Sequence, residues 1–364
     1  MIPQIDLARQ HVPLRAELIA AATRVLDSTR FILGPEVRAL ETDLAAFCGA
    51  AHGIGVNSGT DALLMALRAV GVQPGDEVIT SSFSFVASAT TVVMAGAVPV
   101  FVDIDPETCN LDPVATARAV TPRTRAIMPV HLYGQLAAMD AIEAIARERG
   151  LAVVADAGQA VGAAYAGRGV GAWGDAVCLS FYPTKNLGAC GDGGMVLTQR
   201  EDVACRVRRL RDHGSPRKYE HVEVGYSSRL DELQAALLRV KLPHLGPWTE
   251  ARRALAGRYA DLLGPLGIGL PVEKPPAWHV YHQYTVRVPG RDAVARRLAD
   301  LGVGTAVHYP RTIPGQPLFA ASHSEARFPE AERAAREVLS LPCFPELTDA
   351  EIRRIAESLR TALA

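Results

Sequence analysis

Apolar residues recur along this chain at two spacings, and the spacing changes from segment to segment. Leu14, Leu18, Ala21, Ala22 and Val25 share one side of a 3.6-residue period and predict a helix over 13–29. A loop, Phe31-Ile32-Leu33-Gly34-Pro35, leads to a second helix at about 36–48. Residues 53–56 read as a short strand, and Leu63, Leu64, Leu67 and Val70 mark the helix after it. Strands at about 77–80, 98–102, 125–129 and 151–155 then alternate with helices at about 85–95, 113–119 and 137–149. The strands are near-continuous apolar runs rather than alternating ones. That pattern predicts a mostly parallel sheet covered by helices on both faces. Two further strands, 176–179 and 194–197, a helix at about 201–213 and a polar loop at 214–226 follow.

Ser227 and Ser228 read as caps of a helix carrying Leu230, Leu233, Leu237 and Val240. Residues 242–249, with two prolines and a glycine, suggest a hinge between a large domain, 1–245, and a smaller α+β domain, 246–364. The second part shows a helix at about 248–263, a strand at 281–288 and a helix at about 291–301. A strand running into a loop at 304–310 and a last helix at about 349–362 complete it. No internal repeat or low-complexity tract appears.

At 364 residues, 49% hydrophobic and 21% charged, the chain is long enough for two buried cores. A formal net charge of −1 gives no electrostatic case for nucleic acid or an anionic membrane. No apolar run approaches the roughly 18 residues of a membrane span. The first residues lack a basic stretch followed by an apolar one, so a cytoplasmic protein is expected. The six cysteines are scattered, without Cys-x-x-Cys or zinc spacing, and are expected to be reduced. Cys190 neighbours the key turn described next, but no base is evident beside it.

Candidate chemistry gathers around residues 176–195. The apolar strand stops at Ser180, and Pro183 cannot continue a ladder. Gly188, Gly191, Gly193 and Gly194 remove side-chain bulk, so Lys185 projects from a narrow turn behind a core strand. Such a setting desolvates an amine and lowers its pKa, as imine-forming lysines require. Lysine occurs at only four positions, 185, 218, 241 and 274, against 34 arginines. The other three lie in polar or Pro-flanked, surface-like contexts. Ser58 is placed to cap the helix behind the first strand, with Asp61 as its capping-box partner. Gly59 and Thr60 then offer free amides and a hydroxyl, which serve either as a plain helix start or as an anion site. Asp156, at the mouth of the strand 151–155, is either a turn residue or the anion that holds a cationic ring nitrogen, with Gln159 three residues on. Ser82-Phe83-Ser84-Phe85 supplies either core aromatics or a face for stacking. His308, beside Tyr309, is either a satisfied turn histidine or part of a cleft wall. Together these groups are what pyridoxal 5′-phosphate needs: a lysine for its aldehyde, a carboxylate for its ring nitrogen, amides for its phosphate and an aromatic face for its ring.

With those residues in view, the sequence resembles the DegT/DnrJ/EryC1/StrS family of nucleotide-sugar aminotransferases, within the fold-type I pyridoxal phosphate enzymes. The resemblance covers nearly the whole chain. It is carried by Arg30–Pro35, Asn57–Ala62, Ala155–Ala160, Ser180–Gly188, Gly191–Gly194, Ser228–Ala235 and Gly304–Pro310. It implies that Lys185 forms the imine and transfers protons, that Asp156 pairs with the pyridine nitrogen, and that Gln159 meets the ring hydroxyl. Gly59, Thr60 and Ser180 would bind the phosphate, and Phe85 would stack on the ring. Family members are usually homodimers that share active sites, an asparagine before the SRLD-like segment reaching the neighbour's phosphate. Ser227 stands at that place here.

The resemblance further implies ping-pong transfer of the amino group of L-glutamate to a nucleotide-linked ketosugar, in amino-sugar and cell-surface polysaccharide biosynthesis. The Tyr-Pro-Thr-Lys-Asn-Leu-Gly context looks like branches that aminate C3, those acting on a 3-oxo uronate among them, with Arg229, His308 and Tyr309 at the substrate. Alternative readings are a keto-cyclitol aminotransferase, a dehydratase, against which Lys185 argues because related dehydratases carry histidine there, and a non-catalytic cofactor-binding regulator.

Overall fold

The computed structural model describes residues 1–321 and 327–364. The chain opens with α1 (Leu7–Ser28) and α2 (Pro35–Cys48), then β1 (His52–Val56), α3 (Gly59–Ala69), β2 (Glu77–Ser81), α4 (Ala87–Met94) and β3 (Val98–Val102). Next come α5 (Pro113–Ala119), β4 (Thr124–Met128), α6 (Met139–Arg149), β5 (Ala152–Asp156), two short strands β6 (Ala164–Tyr165) and β7 (Arg168–Gly169), and β8 (Ala176–Ser180). They are followed by β9 (Gly194–Thr198), α7 (Glu201–Leu210), α8 (Glu232–Lys241), α9 (Leu245–Leu263), β10 (Ala277–Trp278) and β11 (Tyr284–Arg287). The last elements are α10 (Arg291–Asp300), α11 (Pro317–Ala320), α12 (Pro329–Glu337), β12 (Val338–Leu341) and α13 (Asp349–Leu363).

Seven strands form one sheet in the order β1-β9-β8-β5-β4-β2-β3. Strand β9 pairs antiparallel with both neighbours, and the other pairings are parallel. Its reversal puts the start of β9 at the edge where the other strands end. Along β8 the side chains alternate between two cores. Val177 and Leu179 pack with Val37, Leu40 and Leu44 of α2, whereas Ala176 and Cys178 join Leu63 and Leu67 of α3 and Val203 of α7. Burial on both faces explains the unbroken apolar run, since each fully buried Leu or Val stabilises by about 1.5–3 kcal/mol. A third core joins α9, α10, α13, β11 and β12, and it includes Ile2 at the start of the chain.

Several local expectations change. Helix α1 begins at Leu7, because the Asp6 carboxylate caps it through Ala8 N at 3.0 Å. Pro13 then lies inside the helix rather than at its start. The Ser227-Ser228 pair does not cap α8, which starts four residues later at Glu232. Ser228 instead donates to Asp61 Oδ2 at 2.6 Å and accepts from Asn57 N at 3.2 Å. Asp61 is therefore turned toward Ser228, while Ser58 Oγ does accept from Asp61 N at 3.0 Å as expected. Residues 242–263 are helical without a break, a 3₁₀ turn at 242–244 running into α9. Pro243 and Pro247 sit in first turns, where the missing N–H costs nothing. Residues 304–310 form no strand, only a single bridge, Ala306 to Ser340. Lys241, expected near the surface, is fully buried and donates to Gly188 O at 2.7 Å.

Glu232 locks two parts of this frame together. Its carboxylate is 1% exposed and accepts from Glu36 N and Val37 N, both at 2.9 Å, closing the start of α2. Replacing Glu232 by Ala strands two amides and should lower the unfolding free energy by about 2–4 kcal/mol. Urea unfolding should show an earlier midpoint with an unchanged slope, and Glu232→Gln should lose roughly half as much.

Candidate active site

The carboxyl ends of β1, β2, β5 and β8, together with the start of β9, converge on a cavity of about 480 Å³. Its floor is set by register. Gly194, the first residue of β9, pairs with Val56 on one side and Ser180 on the other. A Cβ on Gly194 would lie 2.4 Å from the Ser58 carbonyl carbon, and one on Gly59 would lie 2.7 Å from Ser180 Cβ. Only glycine at both places lets the start of α3 meet the end of β8. Ser58 Oγ holds the third amide of the turn, and those of Gly59 and Thr60 have no intrahelical partner. They line the cavity with the hydroxyls of Thr60 and Ser180. Four donors around a helix start are the chemistry a phosphate dianion requires.

Lys185 enters the same cavity from the turn after β8. Its backbone N–H donates to Tyr182 O at 2.8 Å. The turn tolerates no methyl at Gly188, where a Cβ would lie 2.1 Å from Pro183 O. The lysine keeps some surface open to the cavity but is enclosed by protein atoms. Burial brings its pKa down to about 8, and the charge of Asp156 opposes the fall. Asp156, at the end of β5, stands opposite Cys178 in register and lines the cavity too. Burial raises its pKa, while the Gly158 N–H, at 3.1 Å, and Lys185 pull it back. A cationic ring nitrogen beside this carboxylate would complete its ionisation.

Gln159 is engaged at both ends: its Oε1 accepts from Tyr133 N at 2.7 Å and its Nε2 donates to Tyr309 Oη at 3.1 Å. One Nε2 hydrogen remains. The two aromatics of the 82–85 segment divide their roles. Phe83 is wholly buried, and Phe85 is 54% exposed at the cavity wall, its ring 6.1 Å from that of Tyr309. His308 bonds Ser340 Oγ through Nδ1 at 2.8 Å, and burial with the nearby Lys185 charge brings its pKa to about 4. It is neutral at ordinary pH.

Nine expected residues thus share one cavity: Gly59, Thr60, Phe85, Asp156, Gln159, Ser180, Lys185, His308 and Tyr309. Ser227 and Arg229 do not line it within one chain. Arg229 pairs with Asp212 at 2.8 Å and donates to Ser227 Oγ at 2.8 Å. The cavity also holds Ser84, Tyr182, Thr184, Asp192, His282 and Gln283, which the sequence reading passed over. Residues 281–288 were read as one strand, but β11 begins only at Tyr284. His282 and Gln283, two polar residues interrupting an apolar stretch, were the available signal. Four cysteines are buried and Cys190 and Cys205 exposed, all of them free thiols. Among the described residues no His/Cys/Asp/Glu cluster could hold a metal ion, and no helix is long and apolar enough to cross a membrane.

The lowered pKa has a direct test. A protonated amine is unreactive, so in the cofactor-free protein the reactivity of Lys185 toward an acylating reagent should rise with pH through about 8 rather than 10.5. Peptide mass spectrometry across a pH series reads the midpoint, with Lys218, which is exposed, as internal reference.

Known proteins resemble this chain along nearly its whole length. The profile of the DegT/DnrJ/EryC1/StrS aminotransferase family matches residues 13–360. A Geobacillus stearothermophilus protein named "Pleiotropic regulatory protein" is 50% identical over 363 residues, covering 98% of this chain and 97% of its own. The UDP-N-acetyl-3-dehydro-alpha-D-glucosamine 3-aminotransferase of Acidithiobacillus ferrooxidans is 47% identical, covering 100% of this chain and 98% of its own. The crystal structure of Streptomyces venezuelae DesV in complex with a ketimine intermediate superposes with a TM-score of 0.97 at 46% identity, covering 99% of this chain and 98% of that one. The chain belongs to the DegT/DnrJ/EryC1/StrS aminotransferase family and has the fold-type I architecture of its pyridoxal phosphate enzymes.

Proposed function

We propose that the chain transfers the amino group of L-glutamate to C3 of a nucleotide-linked ketosugar, with pyridoxal 5′-phosphate as cofactor. The observation that carries this reading is that Lys185, Asp156 and the open amides of Gly59 and Thr60 face one another across a single cavity. The name of the 47%-identical Acidithiobacillus protein supports position 3.

The residues present fit the cofactor. The close approach of Gly59 to Ser180, possible only without a Cβ, makes a cradle for the phosphate among Gly59 N, Thr60 N, Thr60 Oγ1 and Ser180 Oγ. Asp156 would hold the protonated ring nitrogen, Gln159 the ring hydroxyl and Phe85 the ring face. When bound, the cofactor supplies an aldehyde for amines and a ring that stores the electrons left by a departing proton. Lys185 would take the proton from the α-carbon of glutamate and deliver it to C4′ of the cofactor, then reverse the exchange at C3 of the sugar. A positioned base of this kind contributes about 10²–10⁴-fold. Its lowered pKa keeps a substantial neutral fraction near pH 8, the form that accepts a proton. Tyr309, braced by Gln159, and His308, fixed by Ser340, would face the sugar.

Among the described residues that line the cavity, Lys185 is the one Lys or Arg. A nucleotide diphosphate needs more cationic charge than that. A homodimer, in which the neighbouring copy brings Ser227 and Arg229 to the opening, meets the need.

Purified protein with pyridoxal phosphate should release about one 2-oxoglutarate per site from glutamate alone, and should turn over repeatedly only when a nucleotide ketosugar is present. A panel of UDP- and dTDP-linked 3-keto and 4-keto sugars, with a 3-oxo uronate among them, should favour the 3-keto members. Lys185→Ala should lose the imine absorbance of the bound cofactor and at least 10²-fold in turnover. Full turnover by that variant, without added amine, refutes the assignment, and release from a keto-cyclitol alone refutes the substrate class.

A further inference from the structure

Lys241 is fully buried, and the reaction as described has no use for it. It is the last residue of α8. Its Nζ donates to Gly188 O at 2.7 Å and meets His11 Nε2, from α1, at 2.8 Å. An ammonium can only donate, so His11 Nε2 supplies a lone pair and Nδ1 carries the hydrogen. Burial first, and the Lys241 charge second, lower the His11 pKa and keep the ring neutral. Among the described residues no carboxylate acts on Lys241: burial lowers its pKa, and the Cys190 thiol pulls the other way. A buried cation without a carboxylate is unfavourable, and a methionine would fill the same space at less cost. What the lysine adds is a far-reaching donor, and the acceptor it reaches belongs to the turn that carries Lys185.

That turn is closed at several points. Phe181 N donates to Gly193 O at 2.8 Å and Ala189 N to Phe181 O at 2.7 Å, which shuts its base. Within it, Lys185 N donates to Tyr182 O at 2.8 Å. Gly188 packs against Pro183 so closely that a Cβ would lie 2.1 Å from Pro183 O. Residues 183 and 188 bracket Lys185, so fixing Gly188 fixes both sides of the turn. Asn186, Leu187, Gly188 and Ala189 are all buried. Gly188 does not line the cavity; its carbonyl faces α8 instead, where Lys241 is its partner.

Resting on the reaction proposed above, we propose that Lys241 is a positioning residue for Lys185, its ammonium gripping the Gly188 carbonyl from behind and so holding the closed turn, with Lys185 at its centre, against the cavity. Three observations support it. The grip is a direct hydrogen bond at 2.7 Å. The carbonyl it holds is three residues from Lys185, inside the same closed turn. Burial and Asp156 set the charge state of Lys185, so Lys241 reaches it through the backbone and not through its own charge. Without the donor a buried carbonyl is stranded. The turn then gains by rotating that carbonyl toward water, which carries Lys185 toward the opening. The titratable groups that face Lys185 across the cavity are Asp156, Asp192, Tyr182, His282, His308 and Tyr309, and a change at position 241 alters none of them.

Lys241→Met keeps the length of the side chain and removes the donor, whereas Lys241→Arg keeps a donor and the charge. In the cofactor-free protein, Lys241→Met should raise the acylation midpoint of Lys185 by roughly one unit from about 8, toward the 10.5 of a solvated lysine. The peptide 181–190, whose Lys185 and Ala189 amides close the turn, should exchange its hydrogens about tenfold faster. Lys241→Arg should stay within a few tenths of a unit in midpoint and about twofold in exchange. With cofactor and substrates, Lys241→Met should lose roughly ten- to a hundredfold in kcat at a KM for glutamate unchanged within about twofold, because a misplaced base slows the reaction without weakening binding. A midpoint that does not move overturns the proposal. So does a midpoint that rises while exchange stays at the parent rate, which is a charge effect, or an equal change in both variants. Should Lys241→Met fail to fold, His11→Leu takes the second partner from the ammonium and should shift midpoint and exchange in the same directions by a smaller amount; no shift there overturns the proposal as well. Midpoint and exchange are read without substrate, so their failure is distinct from a failure to transaminate.

Discussion

At the start of β9 a backbone without a side chain passes within contact distance of the Ser58 carbonyl, and next to it Gly59 rests against Ser180. This back-to-back contact of two glycines depends on β9 running against its neighbours, which brings Gly194 into register with both Val56 and Ser180. The start of α3 and the end of β8 thereby become two walls of one floor. The open amides come from one wall and the lysine turn from the other. A single methyl at either glycine would force them apart by more than the slack in a hydrogen bond. The geometry of the cavity floor is in this sense a packing result, obtained by leaving atoms out.

Electrostatics then follows from enclosure. Burial pushes Asp156 toward its acid form and Lys185 toward its free amine, while each draws the other back. Neither group is fully settled by the protein alone. A site in which this carboxylate and this amine are both unfavourably desolvated gains from a ligand that carries a cationic ring on one side and an aldehyde on the other. The donors at the start of α3 answer the negative charge of such a ligand without a formal cation. The neutral imidazoles of His282 and His308 add polarity without adding charge.

Much of this was legible before any coordinates. The central sheet shows in its apolar runs, because strands buried on both faces cannot afford polar residues. Asp156, Lys185 and the Gly59-Thr60 turn stand out because strand ends and helix starts have recognisable chemistry. What stayed hidden is of two kinds. Lys241 looks like a surface residue because its partners, the Gly188 carbonyl and His11 Nε2, come from distant parts of the chain. Ser228 resembles a helix cap, yet its hydroxyl is claimed by Asp61, 167 residues away in sequence. Local pattern cannot distinguish a hydroxyl that caps from one that ties two segments together. The start of α1 lies ahead of the apolar period that begins at Leu14, because the Asp6 carboxylate caps a first turn that the period does not reach.

The first residues of the chain are stitched to segments far along the sequence. Ile2 bridges Val303, and Gln4 donates to Gln283, the neighbour of His282 in the cavity wall. On a ribosome, some three hundred residues separate the emergence of these partners. The seven-stranded sheet lies wholly within residues 52–198 and can assemble while the polypeptide is still growing. The wall around His282 cannot. The leading segment must wait, unpaired, until Gln283 and Val303 have been made, so the binding chamber closes only after they emerge.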